Sequence, residues 1–179
     1  MSPATFGSYN SVYNSQNGLL YTDNAAGTPL RSGTLVGITL KAVRTGTVTF
    51  LVTDPISGSG LQRVSQSITI TISQLGVLSF AVNIPTNANA RVAFVYVGGG
   101  SVPIAYEASV GGSFTAWNEN WGGSLPSIGQ QVSLTTGQQA RFAVAYCYVS
   151  GGVPPVTSPT AATPVTSPTT PTPSAGLSG

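Results

Sequence analysis

The chain carries few of the side chains that usually do chemistry. Its 179 residues include no histidine and only ten charged residues. Without histidine, Ser-His and Cys-His nucleophile pairs and histidine-based metal sites are excluded. Cys147 is the single cysteine, and its neighbours Val144, Tyr146 and Tyr148 favour a small buried hydrophobic residue over a nucleophile.

The four carboxylates are the remaining acid/base groups. A glycosidase needs only two of them, about 5 to 10 Å apart. Glu107 and Glu119 flank one aromatic segment, but no pattern in the sequence brings them together, and Asp23 and Asp54 are not in a D-x-D-x-D calcium spacing. We therefore predict a protein that is not an enzyme and has no metal and no cofactor.

The segment 106–123, YEASVGGSFTAWNENWGG, is the best candidate for ligand recognition because it contains both tryptophans. Flat aromatic faces stack on sugar rings, and amides or carboxylates pair with the sugar hydroxyls. The candidate glycan-binding residues are Tyr106, Trp117, Asn118, Glu119, Asn120 and Trp121. The same aromatic residues are equally typical of a subunit interface or of ordinary packing, and for Trp121 all three interpretations remain open.

Alternating apolar and polar residues predict the elements that must position such a site. In the segment 67–82, apolar residues recur at every second position on both sides of a turn at 74–76, which predicts a β-hairpin. Val36, Ile38, Leu40 and Ala42 are expected on one face of an earlier strand. The segment 91–97 is apolar on both faces, which indicates a central strand.

Further short strands are predicted towards the C-terminus. The segment 113–117 reads as a strand followed by a loop over 118–129, and 131–134 and 140–149 read as a final pair of strands. The total is eight or nine strands without helical periodicity. This pattern is typical of an antiparallel β-sandwich or jelly roll.

Composition divides the chain into three parts. Residues 1–18 are predicted to form an extended polar and aromatic arm that lies on a neighbour or on its own domain, and residues 19–150 form the sandwich. Residues 151–179 are rich in Pro, Thr and Ser and contain the near-repeats VTSPTAATP and VTSPTTPTP, so we expect a disordered, semi-extended tail. Its composition fits an O-glycosylated stalk as well as a plain linker. The candidate O-glycosylation sites are Thr157, Thr160, Thr163, Thr166, Thr169, Thr170 and Thr172.

The low charge restricts the partners. Charged residues make up 6% of the chain, against roughly 25% in an ordinary soluble domain. The net charge of +2 comes from separated residues, and the absence of a basic stripe argues against nucleic acid as a partner. No apolar run approaches 20 residues, so we predict no membrane insertion. The first residues lack the features of a signal peptide, which favours either a mature chain with an added Met or assembly inside a cell.

Three successive segments carry a family resemblance. They are GTLVGITLKAVRTGTVTFLVTD, ITITISQLGVLSFAVNIP and VAFVYVGGGSVPIAYEA, and the resemblance covers roughly residues 33–107. Together they resemble the β-sandwich modules of phage tail fibres and other virion structural or appendage proteins. The resemblance implies a role in virion architecture or host attachment, with glycans as typical ligands. The Pro/Thr-rich tail is not part of that pattern and instead resembles the stalks of glycosylated surface proteins.

These observations lead to one main expectation and two alternatives. The main expectation is a non-enzymatic structural protein of a virion, as a capsid or appendage component, or of a similar extracellular assembly, with itself and other assembly subunits as partners. Its location would be the virion or an extracellular surface, and it could take part in host attachment. The alternatives are a carbohydrate-binding β-sandwich module and a glycosylated cell-surface or filament subunit.

Overall fold

The computed structural model of the chain describes residues 11–12, 14–15, 19–23, 32–59, 61–97, 100–108, 116–120, 124–132, 140–150 and 163–165. Within these ranges eight strands have five or more residues, and no helix is long and apolar enough to cross a membrane. The strands are β1 (Asn14–Ser15), β2 (Leu19–Asp23), β3 (Gly33–Ala42), β4 (Gly46–Pro55), β5 (Gln62–Ile72), β6 (Gly76–Thr86), β7 (Arg91–Tyr96), β8 (Gly100–Ser101), β9 (Tyr106–Ala108), β10 (Ala116–Asn120), β11 (Gln131–Val132), β12 (Ala140–Phe142), β13 (Val144–Ser150) and β14 (Thr163–Val165).

Most of these strands form two antiparallel sheets that pack face to face. One sheet has six strands in the order β10-β2-β7-β4-β5-β11, and the other has four in the order β13-β3-β6-β14. Apolar side chains of both sheets fill the space between them, including Phe50 and Phe94 from one sheet and Leu40 and Phe80 from the other. The prediction of an all-β antiparallel sandwich is confirmed.

A single folded ribbon over residues 33–86 supplies two neighbouring strands to each sheet. β4 pairs with β5 and β3 pairs with β6. The register continues between the two pairs, because Gly46 lies opposite Ile72 and Ala42 lies opposite Gly76. Residues 43–45 and 73–75 are therefore the corners at which the ribbon crosses from one sheet to the other. At the first corner a Cβ on Gly46 would lie 2.9 Å from Cγ of Pro103, which leaves room only for glycine.

The predicted hairpin over 67–82 is wrong, although its strands are real. β5 and β6 lie in different sheets, and the turn between them is the second corner of the ribbon. Ile68, Ile70 and Ile72 of β5 and Leu78, Phe80 and Val82 of β6 do face the core as predicted. Alternation shows which face of a strand is buried, but it does not show which strand lies beside it. Two strands in opposite sheets of a sandwich face the same core, just as two paired strands of one sheet do.

A register shift corrects the expected face of β3. The pairing of β3 with β6 shifts between Leu35 and Gly37, and the buried positions shift there by one residue. Leu35 is fully buried, whereas Val36 is only partly buried. An irregularity of this kind breaks the strict period of two on which the prediction depended.

Of the remaining strand predictions, one is confirmed and two are wrong. β7 lies between β2 and β4, which confirms that 91–97 is central. The final pair is wrong, because β11 pairs with β5, β12 with β9 and β13 with β3. The loop expected over 118–129 is also wrong at its start, since β10 continues to Asn120 in a pairing with β2.

Parts of the two ends of the chain pair with the domain. Within the predicted arm, β1 pairs with β8, and the backbone N–H of Tyr106 donates to the carbonyl of Ser11 at 3.1 Å. Within the predicted tail, β14 pairs with β6 at the edge of the four-stranded sheet. The other residues of the arm before Ser11 and of the tail after Gly151 lie outside the described residues.

Candidate functional site

Part of the outer face of the six-stranded sheet is covered by the chain itself. A second apolar cluster lies there, and every member is 2% exposed or less: Leu51, Val64, Ala93, Val95 and Val132. Val64 points to this face because the β4–β5 register shifts next to it, with Ser65 as the extra residue of β5. The hydroxyl of Ser65 donates to the carbonyl of Val52 at 3.1 Å. Two backbone hydrogen bonds fix the segment before β11 to Val64, one to Gln130 at 2.9 Å and one from Gly129 at 2.7 Å.

An open groove of ≈ 390 Å³ lies beside this cluster. Its lining combines threonine hydroxyls with apolar side chains: Gly46, Thr47, Thr49, Thr69, Val95, Tyr96, Val97 and Leu125. The hydroxyls of Thr49 and Thr69 lie 3.0 Å apart and hydrogen bond to each other across the strand pair. The groove can therefore offer hydrogen bonds and an apolar wall to a small polar ligand.

Four of the six predicted glycan-binding residues lie on one edge strand. Trp117, Asn118, Glu119 and Asn120 belong to β10, where they lie opposite Thr22, Tyr21, Leu20 and Leu19. The register continues into β7, because Leu19 also lies opposite Tyr96. Asn120 is thus level with Tyr96 at a distance of about 10 Å, two strand spacings. The end of β10 and the groove share one end of the six-stranded sheet.

The other two predicted residues are not placed on that strand. Tyr106 begins β9, which pairs with β12 in a separate two-stranded sheet. Its ring lies 6.1 Å from the ring of Phe142 and packs against the main core, and the side chain is partly buried. Trp121 lies outside the described residues.

The carboxylate pair considered for catalysis is divided between sheets. Glu107 lies opposite Arg141 in the pairing of β9 with β12, and Glu119 lies opposite Leu20 in the six-stranded sheet. Among the described residues, no group of three or more His, Cys, Asp or Glu residues is placed to hold a metal ion. Of the seven candidate O-glycosylation sites, Thr163 lies in β14 and the other six lie outside the described residues.

The outer face of the four-stranded sheet differs from that of its partner in both size and chemistry. We call it the small-residue face and define it by nine outward positions: Gly37, Thr39, Lys41, Val77, Ser79, Ala81, Ala145, Cys147 and Val149. They form a regular grid, in which Cys147, Gly37 and Ala81 share one rung and Ala145, Thr39 and Ser79 share the next. The hydroxyls of Thr39 and Ser79 lie 2.9 Å apart on this face.

Two features distinguish the small-residue face. Val77 and Val149 are 47% and 53% exposed, and Leu75 at the neighbouring corner is 63% exposed. Lys41 is the one charged residue among the nine positions. The nine positions lie on three strands about 4.8 Å apart and span five residues on each, an area of about 240 Å². A standard protein interface buries about 800 Å² per partner, so this face corresponds to about a third of one.

Cys147 lies on β13, an edge strand of the four-stranded sheet, and is half-buried on the small-residue face rather than in the core. Val144 and Tyr146 are the β13 residues that contact the core, so Cys147 falls on the opposite side of the strand. A Cβ on the facing Gly37 would lie 3.3 Å from Cβ of Cys147, which shows how closely the two strands pack at this point.

Sequence analysis missed the small-residue face. A signal for it was present in β6, where Val77, Ser79 and Ala81 alternate with the buried residues and carry no charge. On its own, however, such a pattern does not show whether the rest of the chain covers that side.

Comparison with known proteins gives no relative for this chain. No protein-family model, no curated protein and no solved structure matches it.

Proposed function

We propose that this chain is a non-enzymatic structural subunit that assembles with copies of itself, as a capsid or appendage component of a virion or in a comparable extracellular assembly. The observation that carries the proposal is the small-residue face, a sheet surface with exposed valines and Lys41 as the one charge among its nine positions. The resemblance of residues 33–107 to virion appendage modules supports the choice of assembly.

Physical arguments favour sheet-to-sheet contact through this face. Small side chains let two sheets approach closely, as the inner faces of sandwiches do at about 10 Å. Burying Val77 and Val149 removes apolar area from water at roughly 25 cal/mol per Å². The low net charge of +2 leaves little long-range repulsion between copies.

Sedimentation velocity and electron microscopy of protein from its native source test this proposal. We expect rings, particles or filaments that dissociate to smaller species on dilution. A uniform species of 18.1 kDa at all concentrations would contradict it. Intact mass on the same sample shows whether the tail carries glycans, since a glycosylated filament subunit would be heavier than the polypeptide.

Carbohydrate binding is the second candidate function, and the groove at the end of β10 favours it. Hydroxyls and apolar side chains lie together there, level with the predicted glycan-binding strand. A glycan that occupies this site is expected to quench tryptophan fluorescence in the unmodified chain and to bind more weakly after Trp121→Ala and after Thr69→Val. Thr39→Val is the matched control on the opposite sheet. No fluorescence response across a broad glycan panel would eliminate this candidate.

A further inference from the structure

Three buried side-chain oxygens among the described residues have no hydrogen-bond partner: Thr53 Oγ1, Asp54 Oδ1 and Gln62 Oε1. Thr53 is fully buried, with an exposure of 0%. A polar group that is buried without a partner has lost its hydrogen bonds to water and gained none, and native proteins rarely leave one in this condition. A bound molecule that completes these hydrogen bonds is therefore expected.

Two of the three oxygens lie on the outer face of the six-stranded sheet. Leu51 belongs to the outer apolar cluster, and alternation along β4 puts Thr53 on the same side. Gln62 precedes Val64 by two residues on β5, and Val64 is another member of that cluster. Because Thr53 lies opposite Val64, Thr53 and Gln62 are diagonal neighbours across the strand pair.

The spacing of a diagonal pair suits a single bridging molecule. Diagonal Cα atoms of an antiparallel pair are about 7 to 8 Å apart, which is within reach of a long side chain such as glutamine. A hydroxyl and an amide oxygen that met directly would form a hydrogen bond, and Thr53 and Gln62 form none. One water molecule with two hydrogen bonds of about 2.8 Å spans up to about 5.6 Å between their oxygens.

The third oxygen does not join this pair. Asp54 follows Thr53 directly and so points to the other side of β4, where Asn87 Nδ2 donates to Asp54 Oδ2 at 2.9 Å. A hard cation such as calcium takes about six to eight oxygen ligands, with carboxylates among them. Thr53 and Gln62 offer two neutral side-chain oxygens, which are too few for such an ion but enough for a buried water.

We propose that one buried water molecule bridges Thr53 Oγ1 and Gln62 Oε1. The water donates one hydrogen to Gln62 Oε1 and shares a hydrogen bond with the Thr53 hydroxyl, which can donate or accept. Gln62 lies opposite Val132 of β11, so the bridge stabilises the part of β5 to which the covering segment is attached. This inference is independent of the proposed self-assembly.

A high-resolution crystal structure of the full chain tests the site directly. We expect a water peak within about 3.2 Å of both Thr53 Oγ1 and Gln62 Oε1. A dry site would overturn the proposal, as would a direct hydrogen bond between the two side chains or an ion with further oxygen ligands.

Substitutions show whether the bridge contributes to stability in solution. Thr53→Val removes the hydroxyl at nearly constant shape, and Gln62→Met removes the amide oxygen at nearly constant length. Each should lower the urea midpoint of dilute protein and reduce the folding equilibrium constant by about fivefold. The double variant should lose less than the product of the two single losses, because both side chains share one water. Thr39→Val, in the exposed hydroxyl pair, is the matched control and should change the constant by about twofold or less.

The sign of the effect at Thr53 decides the question. If its hydroxyl had no partner, Thr53→Val would raise the urea midpoint, because valine removes the unpaired group. A raised or unchanged midpoint would therefore overturn the proposal, and so would single losses that multiply in full in the double variant. Neither result would bear on the proposed function, which sedimentation of the unmodified chain tests separately.

Discussion

The outer faces of the two sheets differ in how far their apolar side chains are buried. The six-stranded sheet carries apolar residues on its outer face and the chain buries them, with Leu51 and Ala93 fully buried. The four-stranded sheet carries small residues and leaves two valines about half exposed on its outer face. Among the described residues, the apolar side chains on one outer face are buried and those on the other are about half exposed. The small-residue face is therefore the surface on which a second copy is expected.

The contrast also shows how a chain with only ten charged residues can keep its sheets from pairing with the wrong partner. Charges usually keep sheet surfaces and edges from pairing with the wrong partner. Here coverage by the chain protects one sheet, and the tail strand β14 protects the β6 edge of the other. Among the described strands of the two sheets, the exposed large apolar side chains are Val77 and Val149, and both lie on the small-residue face; Leu125 and Ile128 are exposed in the segment before β11.

The largest expected effect comes from truncating a covered residue. Leu51→Ala should lower the free energy of unfolding by about 2 to 5 kcal/mol, because it leaves a cavity under a fully buried side chain. Val77→Ala on the small-residue face should change it by no more than about 0.5 kcal/mol in the monomer. Urea denaturation of dilute protein measures both. Equal losses of unfolding free energy for the two variants would contradict the difference in burial between the two outer faces.

A charge placed on the small-residue face should weaken self-association and leave the stability of the monomer nearly unchanged. Val77→Glu should weaken self-association by about tenfold or more, which is about 1.4 kcal/mol, because a carboxylate would be buried against the partner. Val12→Glu is the matched control, since Val12 is 43% exposed and lies outside the four-stranded sheet. Sedimentation at several concentrations gives the association constants. Similar effects of both substitutions would count against the small-residue face as the contact.

Two hydroxyl pairs, one on each sheet, give the finest comparison. The Thr49–Thr69 hydrogen bond is part-buried and the Thr39–Ser79 hydrogen bond is exposed, with oxygen separations of 3.0 Å and 2.9 Å. A double-mutant cycle with Thr49→Val and Thr69→Val should yield a coupling free energy of about 1 kcal/mol. The cycle with Thr39→Val and Ser79→Ala should yield about 0.3 kcal/mol or less in the monomer, where water competes for the hydroxyls. Equal couplings would mean that solvent reaches both faces alike.

Much of the fold could be predicted because β-strands reveal their buried face through alternation. Ile68, Ile70 and Ile72 face the core, and 91–97 is a central strand, as their patterns indicate. Partner choice could not be predicted, because a strand's own residues do not record which neighbour it pairs with. The turn after Ile72 has the composition of a hairpin turn, yet it leads to the opposite sheet.

The candidate site was less predictable for a related reason. Trp117 and Asn120 were found by their residue types, and the structure places them on an edge strand. The small-residue face has no distinctive residue types, and what sets it apart is the exposure of its valines. That property depends on the whole fold, including the irregularity near Val36 and the path of β13.

Cys147 offers the most direct test of the central claim that the small-residue face is an assembly contact. It is the single cysteine of the chain and shares a rung of that face with Gly37 and Ala81. Its alkylation rate is compared between dilute monomer and assembled protein, with Ser59→Cys in a Cys147→Ala chain as the control at an exposed loop. We predict that assembly slows alkylation of Cys147 by about tenfold or more and leaves the control unchanged. An unchanged rate at Cys147 in protein shown to be assembled would contradict the claim.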